Sequence, residues 1–398
     1  MSDWPLVSLS SLLAQHEPEQ VVPGPDDVVR FAGVRWYGAG LFVREERKGV
    51  EVKGKCYALK PGTLVYNRLF AWKQSFAAVG SDFDGVVVSN EFPQFVVDSE
   101  LATPEYLALY CSSPMFGEEA FALSTGATAV SRNRLKEEDF MRMRVSRPPV
   151  PVQRRIVEVM TAVDEYINTL EAEESALVVL LAAMRQSMLS ESPRVPLASV
   201  CEIKSKLVDP RDEDYADLIH IGVDSIEKGT GRIVGARTAR EDAMISGKYL
   251  VGEDDVVYAK IRPALRKAAF PGYVALCSAD AYPLSPLNGT PPELLREALL
   301  EDGFTAQTTA LSTRLKMPKV NRKELFSTTV AMPPSDEDRL NVVKRLGAVR
   351  AQLEASSAEL ARVRTARAAL LGALLTRNIE VSLCEGDEYR ADATETRI

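Results

Sequence analysis

At 398 residues, 46% apolar and 26% charged, the chain can hold two or three domains, each with a core of its own. No apolar stretch approaches the ~20 residues that span a bilayer, and no basic segment followed by an apolar run opens the chain, so neither a membrane span nor a secretory signal is expected. Five cysteines (Cys56, Cys111, Cys201, Cys277, Cys384) stand singly and the histidines are His16 and His220 alone, which argues against a disulfide framework, a CxxC zinc site and a histidine metal centre and predicts a reduced, cytoplasmic protein.

Residues 1–150 read as a first globular domain, and here the net charge of −8 hides strong segregation. Arg30 to Lys73 carries ten Lys/Arg against three acids, among them Arg44, Arg47, Lys48, Lys53, Arg68 and Lys73. Phe76 to Thr128 carries eight acids and no Lys or Arg, and Ser131 to Arg155 returns to eight basic residues against three acids, with Arg132 and Arg134 at its start. Binding phosphates needs local positive potential, not a basic total. These cations are therefore the first domain's candidate nucleic-acid contacts, with plain solvated surface as the competing reading of each. Gly85-Val86-Val87-Val88-Ser89 and Phe95-Val96-Val97 predict strands, and Pro104 to Cys111 predicts a helix with proline at its start.

A double proline in Arg147-Pro148-Pro149-Val150-Pro151-Val152-Gln153 then introduces a long helix over 151–191. Ile156, Val163, Leu170, Leu177 and Met184 fall seven apart, interleaved with Met160, Ile167, Glu174, Leu181 and Met188, as the two seams of a heptad repeat do. Residues 192–335 read as a second domain, with a strand at Asp255-Val256-Val257-Tyr258 and a helix over Pro292 to Glu301. Lys228 to Lys267 holds nine basic and five acidic residues. The candidate contacts here are Lys260, Arg262, Arg266, Lys267, Arg314, Lys316, Lys319 and Arg322. Gly229-Thr230-Gly231 is too short for a phosphate cradle and reads as a hairpin turn. A second double proline, Met332-Pro333-Pro334-Ser335-Asp336-Glu337, opens a helix over 336–379 that Ser335 or Asp336 can cap. At an offset of 186, Val342, Val349, Ser356, Val363 and Leu370 repeat the first seam. Leu346, Leu353, Leu360, Arg367 and Leu374 repeat the second. The polar members Glu174, Ser356 and Arg367 are candidates for fixing register. The tail 380–398, with six acids against two arginines, reads as a disordered, self-repelling segment.

The chain is thus written twice. Fainter echoes pair Trp4–Leu9 with Val195–Val200 at 191, Gly62–Arg68 with Asp254–Lys260 at 192, Ser89–Pro93 with Ser278–Pro283 at 189 to 190, and Leu123–Thr125 with Leu311–Thr313 at 188. The expected architecture is α+β: two mixed α/β domains separated by two helices of about 35 residues, some 50 Å long, in an antiparallel coiled coil under pseudo-two-fold symmetry. Duplex DNA has two-fold axes of its own, so such a chain suits two half-sites separated by a spacer. Two other readings stay open. Pro25-Asp26 followed by Glu51-Val52-Lys53 fits the loose PD…ExK pattern of a Mg²⁺-dependent nuclease, and the helices alone would suit a coiled-coil adaptor that binds only protein. No GxxxxGK[ST] loop is present, and neither double proline has the Asn/Asp-Pro-Pro-aromatic context of an adenine methyltransferase.

Ser124-Thr125-Gly126-Ala127-Thr128-Ala129-Val130-Ser131-Arg132-Asn133-Arg134-Leu135 resembles the "TGAT…R…L" segment that ends recognition domains of Type I restriction-modification specificity subunits. Arg147 to Gln153 followed by Ile156-Val157 is similar to that family's "PP…P…EQ…I" helix entry, with Val152 in place of the acid. Arg35–Gly40 and Phe83–Pro93 look like one branch of these domains, and His220–Ile226 with Gly229-Thr230-Gly231 like another. The resemblance covers residues 1–379. The second copy departs from it: nothing matches Gly126-Ala127-Thr128 after Ser312-Thr313, and the helix-entry glutamine is missing. The resemblance implies a noncatalytic DNA-recognition subunit in which each domain reads half of a bipartite target. The helices would set the spacer and dock two methyltransferase subunits, with restriction subunits as optional further partners. It implies no cofactor or metal for this chain; S-adenosylmethionine would belong to the methyltransferase subunits, and ATP with Mg²⁺ to the restriction subunits.

Overall fold

The computed structural model describes residues 4–125, 133–204, 206–312 and 318–381. Two compact units divide it: the first takes the chain before Thr169 and after Leu360, the second Thr169–Leu360.

In the first unit the strands are β1 (Leu6–Ser8), β2 (Leu13–His16), β3 (Gln20–Val21), β4 (Val28–Val34), β5 (Leu41–Lys48), β6 (Cys56–Ala58), β7 (Thr63–Tyr66), β8 (Phe76–Ala78), β9 (Val87–Val88), β10 (Gln94–Val97) and β11 (Arg144–Ser146). Its short helices are α1 (Pro104–Cys111), α2 (Pro114–Leu123) and α3 (Glu137–Arg142). Thr103 and Ser113 cap α1 and α2 through their side-chain oxygens, each just before a first-turn proline. The sheets run β1–β11, β2–β10–β7–β8 and β3–β6–β9–β4–β5, with β4 parallel to β9. Tyr66, Phe76, Phe95, Phe116 and Phe140 form a fully buried aromatic core, the Tyr66 and Phe140 rings 4.7 Å apart. The strand expected over Gly85–Ser89 contracts to Val87–Val88, because Gly85 turns at φ +72° and Val86 N–H is spent on Phe83 O.

The long helix α4 (Val150–Leu189) leads into the second unit. Its strands are β12 (Arg194–Pro196), β13 (Cys201–Glu202), β14 (Leu207–Val208), β15 (Ile219–Ile221), β16 (Arg237–Thr238), β17 (Lys248–Val251), β18 (Val256–Ala259), β19 (Ala268–Ala269), β20 (Ala275–Cys277), β21 (Ala281–Pro286) and β22 (Thr329–Ala331). The helices are α5 (Glu213–Ala216), α6 (Pro292–Leu300), α7 (Asp302–Ser312) and α8 (Arg322–Leu325), and α9 (Asp336–Leu375) closes the series. The sheets run β12–β22, β13–β21–β18–β19 and β14–β17–β20–β15–β16, with β15 parallel to β20. Adding eleven to each strand label of the first unit gives the second, down to the parallel pair. The repeat is therefore one of fold, not of helices alone.

One echo needs correcting. Leu9 N–H bonds to Met143 O at 2.9 Å and Leu197 N–H to Thr328 O at 3.0 Å, each opening a 3-10 turn, so Leu9 and Leu197 correspond at an offset of 188 rather than 191. An offset of 191 pairs Leu197, fully buried, with Leu6, which is 48% exposed. Burial fixes register where a short string of letters does not. The offset of 192 at Tyr66 and Tyr258 agrees with the pairings of β7 with β10 and of β18 with β21.

Both long helices run 40 residues, about 60 Å and longer than expected. In the first unit Ile156 and Met160 near the start of α4 pack with Leu371, Leu374 and Leu375 at the end of α9. In the second, Leu181 and Leu189 at the end of α4 pack with Val342, Leu346 and Leu353 near the start of α9. Start meets end in both, so the pairing is antiparallel. Ile167, Leu170 and Leu360 are buried as the heptads require, while Val163, Leu177, Met184, Val349, Val363 and Leu370 are half-buried. Towards the helix ends burial passes to Arg185, Leu189, Arg350 and Leu371, because there the helices pack against globular domain as well as each other. The three polar seam residues all lie inward: Ser356 is buried, Arg367 pairs with Asp164, and Glu174 accepts from Arg232 at 2.7 Å.

Gln153 closes the entry to α4. Wholly buried, it accepts from Thr103 N–H at 3.0 Å and donates to Leu101 O and Pro148 O at 2.9 and 2.8 Å. Gln153→Leu strands all three backbone groups and is expected to cost about 2–4 kcal/mol. Thermal denaturation of the full chain checks this, and a loss below ~1 kcal/mol would show that water replaces the amide.

Candidate nucleic-acid interface

Strand β5 carries most of the first basic run. Its register against β4 shifts between Phe31 and Ala32, leaving Arg44 opposite no residue; a bulge of this kind re-aims a side chain. Arg44 and Arg47 share the Glu45 carboxylate, with Arg47 Nη2 at 2.8 Å from Oε2. Hydrogen bonds from Arg47 and then Arg44 hold the Glu45 carboxyl below its ordinary range. Both arginines line a pocket of about 130 Å³, together with Lys53, Lys55, Ser89 and Phe92. Among the described residues no carboxylate pairs with Lys53 or Lys55, which leaves the pocket electropositive.

The turn Ser89–Phe92 joins this pocket to a second group of cations. Arg68 Nη1 donates to Asn90 O at 2.7 Å and Arg68 N–H to Glu91 O at 3.0 Å. Arg68 also pairs with Glu137, Arg134 pairs with Glu91, and Leu135 N–H bonds to Arg68 O at 3.1 Å. The second unit rebuilds this corner. Lys260 N–H bonds to Asp280 O at 3.0 Å, Lys260 Nζ donates to Ala279 O, and Val320 N–H bonds to Lys260 O at 2.9 Å. Arg68 therefore corresponds to Lys260, Arg134 to Lys319, and Glu91 to Asp280. A cation clamps the turn through a backbone carbonyl in each unit, and a second, exposed cation stands beside it. Burial first, then Lys319, lowers the Lys260 ammonium below its ordinary pKa.

Over 171 residues the chain is 32% identical to the specificity subunit of the Type I restriction enzyme EcoDI from Escherichia coli, a match spanning 41% of this chain and 37% of that relative. In fold it matches a chain from a structure on complex assembly and conformational transition of the type I R-M system, with TM-score 0.58, 17% identity, and 94% and 98% of the two chains covered. It also matches the Type I restriction-modification system S subunit from M. genitalium, with TM-score 0.57, 12% identity, and 94% and 96% covered. No protein-family model matches the chain. The chain resembles a Type I specificity subunit in sequence and in fold.

Within that specificity-subunit fold the remaining sequence candidates divide by what holds them. Lys48 is exposed. Lys73 lies with its Nζ 3.4 Å from the Trp36 ring centre. Arg262 is exposed in a left-handed conformation at φ 49°. Three others have internal partners: Arg266 pairs with Asp302, Lys267 Nζ donates to Val223 O at 2.8 Å, and Arg322 Nη2 to Ile203 O at 2.7 Å. Arg132, Arg314 and Lys316, with the Gly126–Arg132 part of the motif, lie outside the described residues. Sequence reasoning passed over Lys55, although it lies in the same basic run, and the acids Glu91 and Asp280, which no spacing links to cations twenty or more residues away.

Asp26 is exposed, and the Glu51 carboxylate accepts from Lys48 N–H at 3.1 Å, capping the 3-10 turn Gly49–Glu51. Among the described residues no three His, Cys, Asp or Glu side chains converge to hold a metal. Gly229-Thr230-Gly231 turns a hairpin between Ile226 and Ile233. Cys56, Cys111, Cys201 and Cys277 are buried free thiols, and burial pushes Cys201 and Cys277 up to about 12. Among the described residues no helix is long and apolar enough to cross a membrane.

Proposed function

We propose that this chain reads a bipartite DNA sequence on behalf of a Type I restriction-modification complex, one recognition domain per half-site, without catalysing a covalent step itself. The observation that carries the reading is the duplicated fold with cations at equivalent corners of its two copies, Arg68 with Arg134 and Lys260 with Lys319. Phosphate contacts from such cations would set register, and polar side chains in the grooves would discriminate bases. The antiparallel helices α4 and α9 would hold the spacer and dock two methyltransferase subunits. Those subunits would bring S-adenosylmethionine, and restriction subunits, where they join, ATP with Mg²⁺.

Genome-wide adenine methylation in a host with and without the gene tests this reading. One bipartite methylated motif, unequal in its halves, is expected to vanish with the gene. An unchanged methylome in a host that actively methylates adenine would overturn the reading.

A further inference from the structure

Among the described residues the first unit carries an exposed aromatic cluster that the second lacks. Trp36 is 44% exposed, Tyr37 63% and Phe121 48%. Ring centres lie 5.3 Å apart for Trp36 and Phe70 and 5.7 Å apart for Trp72 and Phe121. Lys73 Nζ sits between the two indoles, 3.4 Å from the centre of Trp36 and 5.0 Å from that of Trp72. Among the described residues no carboxylate pairs with Lys73. Its ammonium is held by π faces and remains open to an anion.

The second unit makes the same local fold without these rings. Its 3-10 turn Pro263–Leu265 corresponds to Ala71–Lys73, and each is followed by a left-handed residue, Gln74 at φ 57° and Arg266 at φ 49°. The next contacts also match: Gly38 N–H bonds to Gln74 O at 3.1 Å and Gly229 N–H to Arg266 O at 2.9 Å. Ala264, Leu265 and Thr309 stand where the first unit has Trp72, Lys73 and Phe121. The fold does not require the rings, and large apolar groups kept exposed on such a fold mark a contact surface.

We infer that Trp36, Trp72 and Phe121, with Lys73 between them, are a DNA-contacting platform used at one half-site only. This rests on the DNA-reading proposal above. A duplex fits the platform better than a protein face does, because its charge is a cation without a counter-ion and it runs through Phe70 and Asn67 into Arg68 and Arg134. The rings would lie against sugars or an opened base step, while Lys73 reaches a phosphate. The half-site under the first unit is then read partly through ring contact and DNA deformation, and the other is not.

The test uses the full chain assembled with its methyltransferase subunits, a duplex bearing the mapped motif, and a scrambled duplex. The chain has three tryptophans, so with Trp4→Phe the signal of Trp36 and Trp72 is read as the difference between this assembly and one that also carries Trp36→Phe and Trp72→Phe. The motif duplex is expected to quench their emission. Trp36→Ala with Trp72→Ala should weaken binding about tenfold and relax sequence preference in one half-site while sparing the other. Should that variant fail to fold, Lys73→Gln and Phe121→Ala, made singly, are each expected to show the same one-sided relaxation. Normal affinity and normal preference in folded variants overturn the platform and leave DNA reading intact. Quenching by the methyltransferase subunits alone, with none added by the duplex, makes the patch a protein contact and overturns the inference. A wild-type assembly that binds neither duplex removes the DNA reading itself, and the platform with it.

Discussion

Glu297→Leu is expected to cost the second unit about 3–5 kcal/mol, the usual result of breaking a buried ion pair from one side. Glu297 is 1% exposed on α6 and meets both long helices: Oε2 accepts from Arg185 Nε at 2.8 Å, and Oε1 from Arg350 Nε at 2.6 Å. Arg296 closes on the same carboxylate at 3.0 Å, and Arg350 Nη1 reaches Thr230 O at 2.6 Å. Burial alone pushes the Glu297 carboxyl up, but Arg350, Arg296 and Arg185 outweigh it and bring it to about 2. Its folded pKa is depressed, so its stabilisation is complete above the ordinary glutamate range and is lost as pH falls towards about 2. Melting of wild type and variant at neutral pH and near pH 3 checks both parts. The gap between them should be wide at neutral pH and narrower in acid. A pH-independent gap, or one below ~1 kcal/mol, would remove the carboxylate from the argument. The fourfold change Arg185→Met, Arg296→Met, Glu297→Leu, Arg350→Met, which removes every member of the cluster, should recover most of the deficit, since matched apolar replacement of a buried ionic group is often neutral.

That cluster also marks where the sequence stops being legible. The heptads showed the long helices because a period near 3.5 survives many residues; the antiparallel direction belongs to the two-fold repeat of the chain, not to the heptads. They did not show Arg185 and Arg350, which lie off both seams. Glu297, the residue that draws both inward, lies 112 and 53 positions away. The two globular units were legible where proline and a capping hydroxyl open a helix, as at Pro104. Strands rich in β-branched residues were located, as at Val87–Val88, Gln94–Val97 and Val256–Ala259, whereas two-residue strands such as Gln20–Val21 and Ala268–Ala269 are decided by partners elsewhere in the chain and were not. The candidate interface divides the same way. Composition found Arg44, Arg47 and Lys53 because they lie close together in one run. It could not foresee that a bulge gathers them with Lys55 around one pocket, or that Arg68, Glu91 and Arg134 meet at one turn.

Replacing Arg44, Arg47, Lys53 and Lys55 together with glutamine is expected to make DNA binding by the assembled complex far less sensitive to salt. Each phosphate that a cation neutralises adds about −0.9 to the slope of log affinity against log salt. If every member of the pocket takes one phosphate, the slope becomes shallower by roughly 3 to 4. At low salt the loss of affinity should exceed ~100-fold and fall almost equally on the motif and on scrambled duplex, because phosphate contacts carry no sequence information. Stability should change little: the Arg44 and Arg47 side chains are 54% and 38% exposed, their shared partner Glu45 is itself open to water, and exposed pairs contribute at most ~1 kcal/mol. Titrations of motif and scrambled duplex at several salt concentrations, beside a thermal melt, separate the possibilities. A normal slope in a folded variant would take this pocket out of the interface and leave the repeated corner of Arg134 and Lys319 as the place to look. A loss confined to the motif duplex would instead mean that the pocket reads bases, with Ser89 at its edge as the side chain to exchange next.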